Sequence, residues 1–328
     1  IELLELIKQA KPVPIEGIFL AHQLNDDLVD LYQKGLPPGD KLGLGEFDDL
    51  LSFVLGQMTM ITGIPNQGKS EFLDHISELL AIKFDWKFGV FSPENFPMSL
   101  HLSKIIEKLI GKAFGKPGTP EDKRMTPEER DMAMEFIDKN FYFIRPSDEN
   151  YSLDNILAKT RKLILKYGIN ALIIDPWNTL EHQVPMGMNE TTYISNQLAK
   201  LVSFKQRYNI HIFLVAHPTK MKKDKKTNKY EVPTLYDINM SANFFNKTDN
   251  GITIYRDFVE KRTKVYVQKV KFKHLGKIGD VPFLYDWNCG RFNPEGLSFD
   301  KRNHLLASVT EPLLPMEAMP VPEDELPF

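Results

Sequence analysis

Gly63-Ile-Pro-Asn-Gln-Gly-Lys69-Ser70 matches G-x-x-x-x-G-K-S/T, the loop that cradles phosphate. Before it, Met58-Thr-Met-Ile-Thr62 alternates and is rich in β-formers, which predicts a strand. After it, Glu71 to Leu80 has the apolar spacing of a helix. Strand, glycine loop and helix is the order such a loop requires. Gly63 and Gly68 let backbone N–H groups turn toward phosphate oxygens with no Cβ in the way. The helix N-terminus adds partial positive charge. Asn66, Gln67 and Gly68 complete the cradle, Lys69 reaches the β- and γ-phosphates, and the Ser70 hydroxyl is a ligand for Mg²⁺. ATP, or another nucleoside triphosphate, and Mg²⁺ are the cofactors this stretch calls for.

The surrounding chain has 328 residues, enough for one large α/β domain with appendages. Its 42% hydrophobic and 26% charged residues are those of a globular protein. No run approaches 18 apolar residues, so no membrane partner is expected. A single cysteine, Cys289, excludes a disulfide framework and a cysteine zinc site, and fits a reducing cytoplasm, bacterial or phage-like. The net charge of −3 leaves any nucleic-acid affinity to a local patch. The chain opens on Ile1 and not on an initiator Met, as a piece of a longer protein would.

Residues 1–50 read as an arm: a short amphipathic helix over Ile1 to Ala10, a proline stop, and a second helix over Asn25 to Lys34. Residues 51–295 read as the main domain. Apolar runs over Lys87 to Phe91, Phe141 to Ile144, Ala171 to Ile174 and His211 to Ala216 predict buried strands. Helices are predicted over Pro97 to Ile110, Leu153 to Tyr167 and Thr191 to Tyr208, and an exposed loop over 113–130. That alternation predicts an α/β fold, a mainly parallel sheet covered on both faces. Ile252 to Arg256, Lys264 to Lys273 and Val281 to Tyr285 predict an antiparallel extension. Residues 296–328 read as a tail. After Arg302 it has no Lys or Arg, five prolines and five acids, and is predicted to be disordered.

Several side chains fall at predicted strand ends, where a parallel sheet binds its ligands. Asp175 closes an apolar run and can hold Mg²⁺ through water. Glu94 follows the next strand and can deprotonate the water that attacks the γ-phosphate. His217 ends another strand and can sense that phosphate. Beyond it lie Lys220, Lys222, Lys223, Lys225, Lys226 and Lys229, a cationic loop that reads either as a solvated surface or, the favoured reading, as a strip that neutralises DNA phosphates. Lys269, Lys271 and Lys273 alternate along a predicted strand and would share one face, either opposite a phosphate of a neighbouring subunit's nucleotide or on an exposed edge strand.

Five segments together resemble the RecA-like hexameric replicative helicases related to DnaB, in particular the helicase half of phage primase-helicases and mitochondrial Twinkle. They are GIPNQGKS at 63–70, SPE at 92–94, LIIDPWN at 172–178, FLVAHPTK at 213–220 and KVKFKHLGKIG at 269–279. The resemblance implies a RecA-like P-loop core, ATP-driven translocation on single-stranded DNA, and a ring of subunits, six in the family. It implies Glu94 as catalytic base, Asp175 as metal acid and His217 as γ-phosphate sensor. Lys269 and Lys271 would enter a neighbour's site, and Arg256 and Tyr285 would clamp the base. The N-terminal arm would dock on the adjacent subunit. Lys271 stands where the family usually has an arginine finger, and a lysine lacks the planar, bidentate geometry. The end, Pro322 to Phe328, is similar to the acidic tip of bacterial single-strand-binding proteins and suits docking to a replication partner. Two other readings stay open at this point: a recombinase-type filament, and a non-catalytic nucleotide-gated loader, which Lys271 favours.

Overall fold

The fold is taken from a computed structural model that describes residues 17–115, 120, 124–146, 150–219, 221, 223, 230–238, 241–258 and 260–306. The predicted helix over Ile1 to Ala10 and the acidic end at Pro322 to Phe328 lie outside them. Two units are present, residues 1–38 and 39–328. The first holds helix α1 (Asn25–Lys34), which buries none of its residues.

The second unit begins earlier than the composition of 39–50 suggests. Leu42, Leu44, Phe47 and Leu50 are buried in its core, the last two on the one-turn helix α2 (Phe47–Leu50). Three backbone N–H groups, of Leu42, Gly43 and Leu44, donate to the Asp48 carboxylate and fix this turn. Residues 39–50 thus belong to the main domain and not to the arm.

The sheet has nine strands in the order β3-β2-β4-β5-β1-β6-β7-β8-β9. They are β1 (Met58–Thr62), β2 (Phe88–Phe91), β3 (Phe141–Phe143), β4 (Ala171–Ile174), β5 (His211–Val215), β6 (Asn250–Asp257), β7 (Arg262–Val270), β8 (Gly279–Tyr285) and β9 (Phe292–Pro294). Pairing is parallel from β3 across to β6 and antiparallel from β6 to β9. The α/β expectation, a parallel core with an antiparallel extension, is met.

Burial on both faces explains the continuous apolar runs. On β4, Ala171 and Ile173 face one core while Leu172 and Ile174 face the other. On β5, Phe213 and Val215 divide from Ile212 and Leu214 in the same way. The first layer is filled by α3 (Lys69–Phe84), α4 (Met98–Ile110) and α5 (Pro127–Asn140). The second is filled by α6 (Leu153–Tyr167), α7 (Glu190–Tyr208) and α8 (Ser241–Lys247). Helix α5 begins inside the stretch read as an exposed loop. Thr126 accepts from the Glu129 N–H at 3.2 Å, and Glu129 accepts from the Thr126 N–H at 2.8 Å. This reciprocal cap starts the helix.

The segment 296–306 is also part of the domain and not of a tail. His304 is buried between Glu78 of α3 and Asp300, the latter at 3.2 Å. Burial disfavours its charge, but Glu78 and Asp300 outweigh that, and the imidazole pKa is raised. Arg291, fully buried, donates to the carbonyls of Lys108, Leu109 and Asp300. It satisfies orphan carbonyls at the end of α4 and ties the segment down.

Candidate active site

Four loops converge at the carboxyl edge of the sheet, after β1, β2, β4 and β5, because parallel strands all deliver their following residues to one side. They line a cavity of about 520 Å³. Asn66, Gln67, Gly68, Lys69 and Ser70 come from the loop after β1, and Glu94 from that after β2. Asp175 follows β4, His217 follows β5, and Arg256 and Tyr285 come from β6 and β8. Ten of the predicted residues therefore share one site. Gly63 lies under the loop at φ 149°, and a Cβ there would sit 2.4 Å from the Ile254 carbonyl oxygen. Its glycine is required by the approach of β6 and not only by the turn of N–H groups.

Lys69 Nζ donates to the carbonyls of Gly63 at 2.8 Å and Ile64 at 3.0 Å. Burial lowers its pKa to about 8, against the pull of Asp175 and Glu94. Asp175 is the complement: burial raises its pKa to about 6, and a hydrogen bond from Ser70 works the other way. A buried acid beside a buried lysine is a poor arrangement for the protein alone and a good one for a bound cation and polyphosphate. Ser92 Oγ donates to Asp175 Oδ2 at 3.3 Å, and Asn95 Nδ2 donates to Ser92 Oγ at 2.8 Å. Behind them Asp74 pairs with the buried His101 at 3.1 Å.

His217 is held through its backbone N–H, which donates to Asn178 Oδ1 at 3.0 Å. Its ring Nδ1 is buried with no hydrogen-bond partner among the described residues. Burial first, and then Lys69, lowers its pKa. A neutral imidazole with an unpaired nitrogen, beside the phosphate-loop lysine, suits recognition of a phosphate oxygen. These residues fit a nucleoside triphosphate with Mg²⁺. No cluster of three or more His, Cys, Asp or Glu that could cage a metal exists among the described residues. Ser70 and Asp175 are the pair that would hold Mg²⁺, with phosphate and water completing its shell.

The loop after His217 is closed at its base like a hairpin. Pro218 bridges Ile238, Lys223 bridges Tyr230, and the Thr219 N–H donates to the Asp237 carbonyl at 2.7 Å. Tyr255 of β6 donates to the Tyr230 carbonyl at 2.9 Å. Lys223 is exposed, its ammonium 5.1 Å from the Tyr230 ring. Lys220, Lys222, Lys225 and Lys226 lie outside the described residues.

Lys269 and Lys271 are not among the residues lining this cavity. They also do not form one strand face with Lys273, because β7 ends at Val270. Lys269 donates to the Phe245 carbonyl, and Lys271 pairs with Asp249 at 2.8 Å. Asp249 already holds the buried Lys205 at 2.8 Å, so the Lys271 ammonium has a partner within its own chain.

Among the cavity residues not read as site residues from the sequence are Glu71, Lys104 and Trp287. Glu71 pairs with Lys104 at 2.8 Å and the buried Lys108 at 2.6 Å, and lies 3.4 Å from the Tyr285 hydroxyl. Glu71 and Lys104 sit on different helices, and only the packing of α4 on α3 joins them. Trp287 is the third, a largely exposed residue of the cavity lining.

A parallel sheet with a phosphate loop after a central strand, and functional side chains at the ends of its neighbours, defines a P-loop nucleoside triphosphatase fold of the RecA type. A profile of the DnaB-like helicase C-terminal domain matches residues 39–294, and the chain belongs to that family. It is 36% identical over 302 residues to the Twinkle homolog protein, chloroplastic/mitochondrial, of Arabidopsis thaliana. That alignment covers 89% of this chain and 42% of the relative, so the chain spans less than half the relative's length. Among solved structures, an ATPase domain superposes with a TM-score of 0.67 at 17% identity, covering 82% of this chain and 98% of that one. A DnaB-like replicative helicase, solved in a study of its interactions with primase, gives 0.66 at 18%, covering 89% and 70%. At such identities these two carry the fold alone. No helix among the described residues is long and apolar enough to cross a membrane.

Proposed function

We propose that this chain is the motor domain of a ring-shaped replicative DNA helicase, hydrolysing ATP between subunits and moving single-stranded DNA through the ring. The observation that carries the reading is the junction at His217. His217 lines the nucleotide cavity, and Pro218, next in the chain, bridges Ile238 at the base of the segment that carries the lysines. The cavity residue and the first lysine of the stretch, Lys220, are thus three residues apart in the chain.

In this reading Lys69, the loop N–H groups and the α3 N-terminus bind the polyphosphate. Bound Mg²⁺ supplies charge neutralisation of the phosphates. Glu94, exposed on its loop, orients and deprotonates the attacking water. His217 meets the γ-phosphate, and its loss releases the hairpin base. Lys220, Lys222, Lys223, Lys225 and Lys226 neutralise DNA phosphates. Lys269 and Lys271 serve a neighbouring subunit's nucleotide, which requires Lys271 to leave Asp249 on assembly. The arm before residue 39 docks on the adjacent protomer, and the acidic end at Pro322 to Phe328 docks a replication partner. The buried Cys289 fits a reducing compartment.

Steady-state phosphate release with and without single-stranded DNA tests the reading. DNA is expected to stimulate hydrolysis at least severalfold, with stimulation falling steeply as salt rises. Lys223→Glu should weaken the stimulation and leave the DNA-free rate unchanged. Hydrolysis indifferent to DNA at every salt concentration contradicts the motor.

A further inference from the structure

The base clamp expected from the resemblance pairs Arg256 with Tyr285. The packing around Tyr285 argues for a different aromatic plane. The Tyr285 hydroxyl faces Glu71 at 3.4 Å, and its ring makes T-shaped contacts with Phe292 and with Trp287, each at 5.0 Å between centroids. Glu71 is itself fixed by Lys108 and Lys104. Tyr285 is thereby a half-buried wall, held at its hydroxyl and by two neighbouring rings.

Trp287 is different. It is 63% exposed, whereas Trp86 and Trp177 are 2% and 4% exposed. It lines the same cavity as the phosphate loop. The Arg256 guanidinium lies 4.7 Å over its ring. A large apolar plane left in water beside a polyphosphate cradle, with a planar cation already stacked on it, is the surface a nucleobase covers.

We propose that Trp287, and not Tyr285, is the stacking platform for the base, with Arg256 as the opposing plane. The guanidinium now lies against the indole, and it yields that face as the base enters between them. Stacking of this kind accepts any π-face, so the clamp distinguishes a nucleotide from a bare polyphosphate and does not distinguish one base from another. The inference rests on the nucleotide-site reading above.

Two ligands separate the two readings. ATP engages cradle and clamp, while inorganic tripolyphosphate engages the cradle alone. Calorimetric titration of Trp287→Ala, with Mg²⁺ present, should show ATP binding weakened about tenfold, within the range for one stacked base. Tripolyphosphate affinity should stay within about twofold of wild type, since no phosphate contact is removed. Trp287→Phe keeps an aromatic plane and should recover most of the loss. Intrinsic fluorescence gives a second readout, because the other two indoles are buried. ATP should quench wild-type emission, and the quench should vanish in Trp287→Phe. Unchanged ATP affinity in Trp287→Ala, with tripolyphosphate still bound, overturns the clamp alone. A wild-type protein that binds neither ligand overturns the nucleotide site, and the clamp with it.

Discussion

Glu94→Gln lowers the turnover number for ATP by about 10²- to 10⁴-fold, the range for removing a general base, while ATP still binds. The reasoning is geometric. Glu94 lines the cavity across from the phosphate loop, on the turn where the Phe96 N–H donates to the Glu94 carbonyl at 2.9 Å. Among the described residues no hydrogen bond or ion pair ties its carboxylate to a neighbour, so the amide replaces it without leaving a partner unsatisfied. Lys69 and Asp175 are buried, and in the proposed function they are the residues that hold the ligand. Single-turnover phosphate release and a fluorescent-nucleotide titration separate the two effects. A rate within about threefold of wild type would take the base role from Glu94. A large loss of affinity at unchanged turnover would make it a binding residue instead.

Gly63→Ala carries the second large effect, and it falls on the fold before the chemistry. A methyl at that φ of 149° would meet the Ile254 carbonyl oxygen at 2.4 Å and its carbon at 3.3 Å. Both are backbone atoms of β6, which pairs with β1 in parallel register from Thr59 to Thr62. No side chain can swing aside, so the two strands must part. Overpacking and an unfavourable backbone conformation together cost on the order of 3 kcal/mol. For a domain of this size the unfolding temperature should drop by roughly 6 to 12 °C. ATP affinity should fall too, because the displaced strand carries the loop. Calorimetry with and without ATP checks both, and a shift below about 2 °C would show that β6 accommodates the methyl.

The parts legible in the sequence are those set by local pattern. The phosphate loop declares its strand and helix through short-range spacing, and two-sided burial writes β4 and β5 as unbroken apolar runs. Strand ends then place Glu94, Asp175 and His217 on one edge with no further information. Thr126-Pro-Glu-Glu129 is also a local signal, a capping box with proline at the first helical position, but it is hidden inside a polar stretch. The arm boundary misleads for a different reason. Glycines at 39, 43 and 45 resemble a linker, yet Leu42, Leu44 and Phe47 between and beyond them fill the core. Trp287 and the Lys271–Asp249 pair are not readable at all. Both depend on strands that meet only in the folded sheet, so no spacing along the chain announces them.

The coupling at His217 is the centre of the account, and by linkage it must be visible from the DNA side. The measurement is the affinity for a labelled single-stranded oligonucleotide, by anisotropy, with a non-hydrolysable ATP analogue and again with ADP. The account predicts affinities that differ by about tenfold between the two nucleotides, a typical coupling, and a difference that collapses in His217→Ala. Equal affinities in both nucleotide states would contradict it.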